Sequence, residues 1–299
     1  MKKLIILSMV CCSVFSKAQQ QAQYTLNQFN SSLEINPAYA GSNDDASASL
    51  RYRKQWVGFD GSPTTISFNG EGNVIKKKLG AGLTIVSDRI GITKSTDIDL
   101  SLASHVKVSE TGTIALGIKG GIYTLKSDFS KLSNVDMTDP LYANDKISIP
   151  FVGVGALYYT KKLYIGFCIP KLVAFETATA QSPVSKPHYY LYGGYRVIIN
   201  DEIELRPALL FKYVNAAPLE ADIAVDFWYK KLIGLGISYR TSDSFNFTIK
   251  EKFGNFYAGY SYDMTISKLR TFNSGSHEVY LGYSFGKKGN PDRTDSIRL

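Results

Sequence analysis

Hydrophobic and polar residues alternate strictly along two neighbouring stretches near the middle of the chain. In Ile203–Tyr213 the apolar side chains fall on every second position, interrupted only at Pro207, and charged residues stand between them. The alternation resumes over Leu219–Tyr229, after the turn-like residues 214–218. A period of two predicts strands with one apolar and one polar face, and the short connection predicts a hairpin.

The charges of this hairpin also predict its register. The pairing that places Arg206 opposite Asp226 also places Lys212 opposite Glu220. Opposite charges directly across an antiparallel pair stabilise a register by roughly 0.2–1 kcal/mol each.

Strands with one apolar and one charged face fit two folds. A soluble sandwich turns its apolar face to a core, whereas a transmembrane barrel turns it to lipid and its charges to the lumen.

The same alternation continues along the chain and defines fourteen candidate strands. Their approximate ranges are 46–56, 63–72, 79–88, 95–106, 111–123, 150–160, 162–170, 188–199, 203–213, 219–229, 232–241, 244–253, 256–265 and 276–286. Most have about 9–12 residues, which is the length that crosses a bilayer as a tilted strand. Strands of soluble proteins more often have about 5–6 residues.

The connections between these strands differ in length according to their position. Those after even-numbered strands are all short, at 73–78, 107–110, 161, 200–202, 230–231 and 254–255. Those after odd-numbered strands include every long one, at 124–149, 170–187 and 267–275. This asymmetry is typical of outer-membrane barrels. We therefore predict an all-β protein, a closed antiparallel transmembrane β-barrel of about 14 strands, with short periplasmic turns and longer extracellular loops.

Aromatic residues and glycines add to this prediction. The chain has 20 Tyr and 16 Phe. Many aromatic residues stand near predicted strand ends: Trp56, Tyr123, Tyr158, Tyr159, Phe227, Trp228, Tyr229, Tyr283 and Phe285. They could form the aromatic girdles of a barrel or reflect β-propensity alone. Glycines within the strands, such as Gly80, Gly82, Gly117 and Gly155, predict tight curvature.

The two ends of the chain are predicted to lie outside the barrel. Met1–Ala18 has a lysine pair, an apolar run and a small-x-small cleavage sequence, which predict a secretory signal peptide. We expect residues 19–45 to be an N-terminal periplasmic or plug-like segment, 46–286 the barrel and 287–299 a periplasmic tail. Export of the chain would place it in the outer membrane, with the lipid bilayer around the strands.

Removal of the signal peptide changes the cysteine content and the charge. Cys168 would be the one remaining cysteine, which excludes an internal disulfide and a cysteine metal site. The formal charge would fall from +8 to about +5, because three lysines are lost with the peptide. This charge, on an exported protein, does not indicate a nucleic-acid partner.

Candidate catalytic and metal-binding patterns are weak. Gly282–Gly286 spells the G-x-S-x-G of a hydrolase nucleophile, but it lies within an alternating strand rather than at a strand–turn–helix junction. The three histidines, His105, His188 and His277, lack the spacing of metal ligands. His277 and Ser284 are an odd number of residues apart on one strand and point to opposite faces. We therefore predict no enzyme activity and no cofactor.

The polar faces of the strands carry both signs of charge. If these faces point inward, the lumen is lined by Arg51, Arg53, Asp97, Asp99, Arg206, Lys212, Glu220, Asp222 and Asp226, together with Lys250 and Lys252. Two interpretations follow, a self-neutralising and largely filled lumen or a path for a solute or polypeptide. A filled lumen predicts silence in conductance measurements, and a path predicts a steady open pore.

Two motifs near the start of the mature chain are specific enough to suggest a family. They are Asn36-Pro37-Ala38-Tyr39-Ala40-Gly41 and Gln55-Trp56-Val57-Gly58-Phe59-Asp60-Gly61. Further matches lie at 23–28, 88–93 and 158–166, so the likeness runs from about residue 23 to the last strand. With these motifs the chain resembles the PorP/SprF family of outer-membrane proteins, which is associated with the type IX secretion system of Bacteroidetes.

The resemblance implies a fourteen-stranded barrel without catalytic residues. Members of the family assist the export or surface attachment of large proteins with a C-terminal sorting domain, often gliding adhesins. They are linked to periplasmic or peptidoglycan-binding components of the secretion machinery. We therefore expect protein–protein contact as the function, with a porin-like channel for small solutes as the alternative. The candidate partner-binding positions are Asn36, Pro37, Ala38, Tyr39, Gln55, Trp56, Phe59, Asp60 and Gly61.

Overall fold

A single antiparallel sheet, closed on itself, makes up most of the molecule. The computed structural model describes residues 32–43, 45–131, 146–174, 186–215 and 217–286. Each strand pairs with its neighbours in sequence, and pairing of the first strand with the last closes a barrel of fourteen strands. The predicted signal peptide, the motif at 23–28 and the predicted tail at 287–299 lie outside the described residues.

The barrel strands are numbered here in chain order. They are β1 Ser47–Lys54, β2 Thr64–Ile75, β3 Leu79–Ile90, β4 Thr93–Lys107, β5 Thr113–Ser127, β6 Lys146–Tyr159, β7 Leu163–Ala174, β8 His188–Tyr195 continued by Val197–Ile198, β9 Ile203–Val214, β10 Glu220–Tyr229, β11 Ile233–Arg240, β12 Ser244–Phe253, β13 Phe256–Thr265 and β14 Ser276–Ser284. This confirms the predicted barrel, and the strands correspond one to one with the predicted ranges.

Among the described residues, helical structure is limited to short segments. An α-helical turn, α1, spans Ser32–Ile35, and 3-10 turns span Pro37–Tyr39, Phe129–Lys131 and Lys268–Phe272. Within the described ranges, no helix is long and apolar enough to cross a membrane.

Each strand separates apolar from polar side chains between its two faces. In the middle of β4, Ile98, Leu100 and Leu102 are exposed on the outside, while Asp99 and Ser101 between them are buried. This is the inverse of a soluble protein, in which large apolar side chains leave the surface. A closed sheet with an apolar outer surface and a polar interior is the arrangement of a transmembrane barrel, because the outer face contacts lipid. The sandwich interpretation is therefore excluded.

The charged hairpin has the predicted register. In the pairing of β9 with β10, Arg206 stands opposite Asp226 and Lys212 stands opposite Glu220. Both pairs lie on the inner face, where their side chains are buried. Across the hairpin Lys212 forms an ion pair with Glu220, whereas Arg206 pairs with Glu204 on its own strand and Asp226 pairs with Lys250.

Two details of the strands differ from the predictions. The hairpin of β5 and β6 extends beyond the predicted strand ends, to Ser127 and Lys146, so that the connection between them is shorter than expected. The eighth strand is interrupted at Arg196, although the amide of Arg196 still donates to the carbonyl of Lys162 in the register that pairs this strand with β7. Both differences concern strand ends, where the period of two gives the weakest signal.

The aromatic girdle includes fewer residues than predicted. Three of the proposed members face the interior: Tyr123 contacts Lys171, Tyr159 contacts His105, and Trp228 lies beneath the guanidinium of Arg206. Others, including Phe227, Tyr229 and Phe285, are exposed on the outer side. Nearness to a strand end does not decide which face an aromatic residue occupies. That depends on whether its position is odd or even in the strand.

Candidate functional site: a plugged lumen and a braced loop

The first family motif lies inside the barrel. Leu33 to Gly41 are all buried, and the 3-10 turn Pro37–Tyr39 packs against the inner faces of β4, β5 and β6. We call residues 33–41 the plug. The chain then runs to Ser47 and enters β1 at the end of the barrel that carries the short turns. The plug therefore occupies lumen that an open channel would need.

Asn36 fixes the fold of the plug and attaches it to the wall. Its side-chain oxygen accepts a hydrogen bond from the amide of Ala38 at 2.8 Å, which caps the 3-10 turn. Its side-chain nitrogen donates to the carbonyl of Ala156 at 3.0 Å and to the hydroxyl of Tyr192 at 2.8 Å. A buried amide satisfied on both ends favours one position, because a shift would leave polar atoms unpaired.

Small residues on the wall make room for the plug. A Cβ atom at Gly155 would overlap the side-chain oxygen of Asn36, and one at Gly117 would overlap the backbone of Ala38. A Cβ atom at Gly80 would overlap the carbonyl of Ala40 in the same way. These glycines were predicted to allow tight curvature. In the structure they permit close approach of a second stretch of backbone, which is the other common reason for glycine within a strand.

Polar contacts hold both ends of the plug. Glu34 forms a buried ion pair with Arg51 of β1, and its carbonyl accepts a hydrogen bond from the ammonium of Lys119 at 3.2 Å. At the other end, Nε2 of His105 donates to the carbonyl of Ala40 at 2.8 Å. The plug is therefore tied by polar contacts to β1, β4 and β5, in addition to its packing against β4, β5 and β6.

The remaining interior is filled by ion pairs on β9–β14 and β1, with Arg196 of the eighth strand. Arg53 contacts Asp263 at 2.6 Å and Glu278 at 2.8 Å, and Arg240 contacts Asp222 at 2.9 Å. The further pairs are Lys212 with Glu220 and Asp222, Arg206 with Glu204, Arg196 with Glu204, and Lys250 with Asp226. Buried charges are tolerated only when they are paired in this way. We call these residues the ion-paired wall.

The charged residues predicted to line the lumen therefore differ in burial. Arg51, Arg53, Asp99, Arg206, Lys212, Glu220, Asp222 and Asp226 are all buried. Asp97 lies nearer the long-loop end and pairs with Lys171 at 2.6 Å, with side chains that are 17% and 28% exposed. The interior is thus partly open to solvent at this end and closed around the plug.

Several members of this arrangement were not identified from the sequence. They are Glu34, Lys119, Arg196, Glu204, Arg240, Asp263 and Glu278. Lys119 and Glu278 occupy inward positions in the strand period, so the same alternation could have identified them. Glu34 lies in the plug, where no period exists, and only the tertiary structure pairs it with Arg51.

The second family motif forms a braced loop at the opposite end of the barrel. Its backbone bonds to the loop before β14, through Val57 N to Gly275 O at 2.8 Å and Ser274 N to Val57 O at 2.7 Å. It also bonds to the β3–β4 turn, through Gly91 N to Gly61 O at 2.8 Å. We call residues 55–63 the braced loop.

The braced loop buries some of its motif residues and exposes others. Gln55 and Ser62 are buried, whereas Phe59 is 47% exposed and Asp60 is also exposed. Trp56 is half-buried with a φ of 45°, and Gly61 has a φ of 71°. The left-handed backbone at these positions bends the loop tightly. An aromatic ring and a carboxylate are therefore presented on a rigid support.

No enzyme-like or metal-binding arrangement is found in the part of the chain that the structure describes. Ser284 of the G-x-S-x-G spelling ends strand β14, and His277 on the same strand contacts the hydroxyl of Tyr260 instead. No group of three or more metal-ligating side chains occurs among the described residues.

Closure of the sheet, its apolar exterior and its charged interior define an integral β-barrel of the outer membrane. The chain belongs to the family described as "Type IX secretion system membrane protein PorP/SprF", whose model matches residues 16–283. This family is one of secretion-system membrane proteins and not a family of enzymes. Membership of this family implies interaction with the secretion machinery and its cargo.

Several solved structures are similar to this chain at low sequence identity. CdiB from Acinetobacter baumannii matches with 7% identity and a TM-score of 0.45 over 81% of this chain and 60% of its own. A Pseudomonas aeruginosa FadL homologue matches with 11% identity and a TM-score of 0.47 over 85% and 94%. The CymD monoaromatic hydrocarbon channel matches with 11% identity and a TM-score of 0.48 over 90% and 95%. No curated protein matches the sequence significantly.

Proposed function

We propose that this protein assists the export or surface attachment of a large secreted protein, such as a gliding adhesin, by protein–protein contact at the ends of a closed barrel. The single observation that carries the proposal is the filled interior. The plug and the ion-paired wall occupy the lumen around Asn36 and Arg53, each of which is almost fully buried. A barrel filled in this way has its free surfaces at its two ends.

The braced loop is the proposed contact for the exported protein. Phe59 and Asp60 are exposed there, and the neighbouring 3-10 turn exposes Phe272 and Leu269. Exposed aromatic residues on a rigid support suit binding, because little conformational entropy is lost when a partner docks. The cargo would be a large protein with a C-terminal sorting domain.

Periplasmic or peptidoglycan-binding components of the secretion machinery are the proposed partners at the other end. The short turns there expose lysines, including Lys76, Lys107 and Lys230. Asn36, Pro37, Ala38 and Tyr39 are buried within the lumen. We therefore assign those four residues to the plug and the partner contacts to the loop and the turns. No catalytic step is part of the proposed function.

Site-specific photo-crosslinking tests the proposal directly. A photoreactive phenylalanine analogue at Phe59 should capture the exported protein in intact cells, and the captured protein can be identified by mass spectrometry. The matched control replaces Phe253, which is 79% exposed at the short-turn end. Equal capture from both positions, or normal cargo display in cells that lack this protein, would contradict the proposed role.

Planar-bilayer recording distinguishes the alternative, a channel for small solutes. A plugged barrel should give no steady conductance, because the plug and the ion pairs occupy the lumen around Asn36. A stable open pore in the unmodified protein would favour transport instead.

A further inference from the structure

Four cationic side chains form a row across the outside of β3–β6. Arg89 pairs with Lys94, Lys94 with Lys126, and Lys126 with Lys146 in the strand register. Residues directly opposite each other share a face of the sheet, with Cβ atoms about 4.5–5.5 Å apart. All four are exposed and occupy outward positions near the long-loop end. We call them the cationic row. It spans three interstrand gaps, about 14 Å.

The protein supplies no counter-charge to this row among the residues that the structure describes. None of the four forms an ion pair or a side-chain hydrogen bond there. Of the described acids close to the row in sequence, Asp88 faces inward and accepts a hydrogen bond from the hydroxyl of Thr65 at 2.6 Å, and Asp128 accepts one from the hydroxyl of Ser130 at 2.6 Å. Like charges directly opposite each other destabilise a sheet. An anion from outside the chain would relieve this repulsion.

The surface below the cationic row changes in two regular steps. The next outward positions carry hydroxyl groups, on Ser87, Thr96, Thr124 and Ser148, which are also in register with one another. The following positions carry Ile85, Ile98, Ile122 and Pro150, where the apolar outer surface begins. Each step is two residues, about 6.6 Å along a strand. The cations therefore lie about 13 Å along the strand from the apolar surface, less in depth because barrel strands are tilted.

We propose that the cationic row and the hydroxyl row below it bind the phosphate groups of lipid headgroups in the membrane leaflet at the long-loop end. Lysine and arginine bind phosphate through charge-assisted hydrogen bonds, and the hydroxyl groups add neutral donors. The order of cations, hydroxyls and apolar side chains matches the order of headgroup, interface and acyl chains in a leaflet. This order favours a lipid over an acidic protein segment, because the row continues directly into the lipid-facing surface.

Binding of purified lipids to the folded barrel in neutral detergent tests the proposal. The variant replaces Lys94, Lys126 and Lys146 with Gln, and the matched control replaces Lys76, Lys78 and Lys107, which are exposed at the short-turn end. Both lose three positive charges. The probe is diphosphoryl lipid A, measured by native mass spectrometry, with its dephosphorylated form, inorganic phosphate and a glutamate-rich peptide as comparison ligands. Folding of each barrel is verified by heat-modifiable migration on gels.

The outcomes separate the possible sources of the anion. We expect the first variant to bind diphosphoryl lipid A more weakly by roughly fivefold per lysine, or about a hundredfold in total. The control variant should bind like the unmodified protein, and dephosphorylated lipid should bind weakly to all three. Equal loss in both variants, equal binding of the dephosphorylated lipid, or a preference for the peptide or for free phosphate would overturn the proposal. These results do not depend on the proposed role in export.

Discussion

Two parts of the same lumen are filled by different means. On β3–β6 the inner face carries small residues such as Gly117 and Gly155, and the space is taken by the backbone of the plug. On β9–β14 and β1 the inner face carries long charged side chains, such as Arg53 and Arg240, which fill the space themselves. The size of the inward side chains therefore decides whether a wall accepts a second segment of chain. Glu34 joins the two parts through its ion pair with Arg51.

The two fillings should also respond differently to mutation. The plug is a short segment held by packing and a few hydrogen bonds, so it can leave without opening the sheet. The ion-paired wall lies on the strands themselves, so a change there affects the stability of the barrel. Cys168 reports on the plug because it stands opposite Gly155 in the sheet and packs in the cluster that includes Ile35 and Ala38.

The largest change, a rise in the labelling of Cys168, is expected when larger side chains fill the space that the plug occupies. In the double variant Gly117→Val and Gly155→Val, the added side chains would overlap Ala38 and Asn36, so the plug should leave the wall. We expect labelling of Cys168 by a soluble maleimide to rise at least tenfold, with the barrel still folded. The control is Gly120→Val, because position 120 faces outward. Continued protection of Cys168 in the double variant would show that the glycines do not hold the plug.

The next effect concerns the stability of the ion-paired wall. Arg53→Met would leave Asp263 and Glu278 without their closest cation, and breaking a buried pair costs about 3–5 kcal/mol. We expect this loss in the free energy of unfolding, measured with urea in lipid vesicles, while Cys168 stays protected. The control is Lys230→Met, whose ion pair with Glu202 is exposed and should contribute no measurable stability. Release of the plug by Arg53→Met would show that the two walls are not independent.

A smaller effect is expected when the plug loses its polar anchor. Asn36→Leu removes the hydrogen bonds to Ala156 and Tyr192 and the cap on Ala38. Unpaired buried groups cost about 1–3 kcal/mol, which should increase amide hydrogen exchange of residues 38–41. The same change at Asn255, which bonds to Gly286 at the short-turn end, is the control. Unchanged exchange in the plug would assign its position to packing alone.

The smallest change, in hydrogen exchange at Gly41, is expected when the plug loses the hydrogen bond between His105 and Ala40. His105→Phe removes the donor to the carbonyl of Ala40 while keeping an aromatic ring beside Tyr159. We expect a loss of about 1 kcal/mol in the local protection of Gly41 against hydrogen exchange. His277→Phe is the control, because His277 contacts Tyr260 far from the plug. A loss as large as that of Asn36→Leu would mean that this end of the plug contributes as much to docking as Asn36.

The strands, their order and the register of the charged hairpin could be predicted because each depends on neighbouring residues. A period of two fixes which side chains share a face, and the opposite charges of Lys212 and Glu220 favour one register. The two family motifs could also be recognised from the sequence, because each is a short run of adjacent residues. The strand period also gives the inward direction of Asp222 and Asp226, although it does not name their partners.

The positions of the two motifs were decided only by the tertiary structure. The plug has no period, and its site depends on Gly117 and Gly155, which lie on two different strands. The braced loop depends on Gly91 and Gly275, which come together only when the sheet closes. The sequence by itself determined a membrane barrel and the face that each side chain occupies, since those follow from local alternation. Closure of the barrel decided what fills it, because the plug contacts residues distant in sequence, and Asn36 and Ala156 are 120 positions apart.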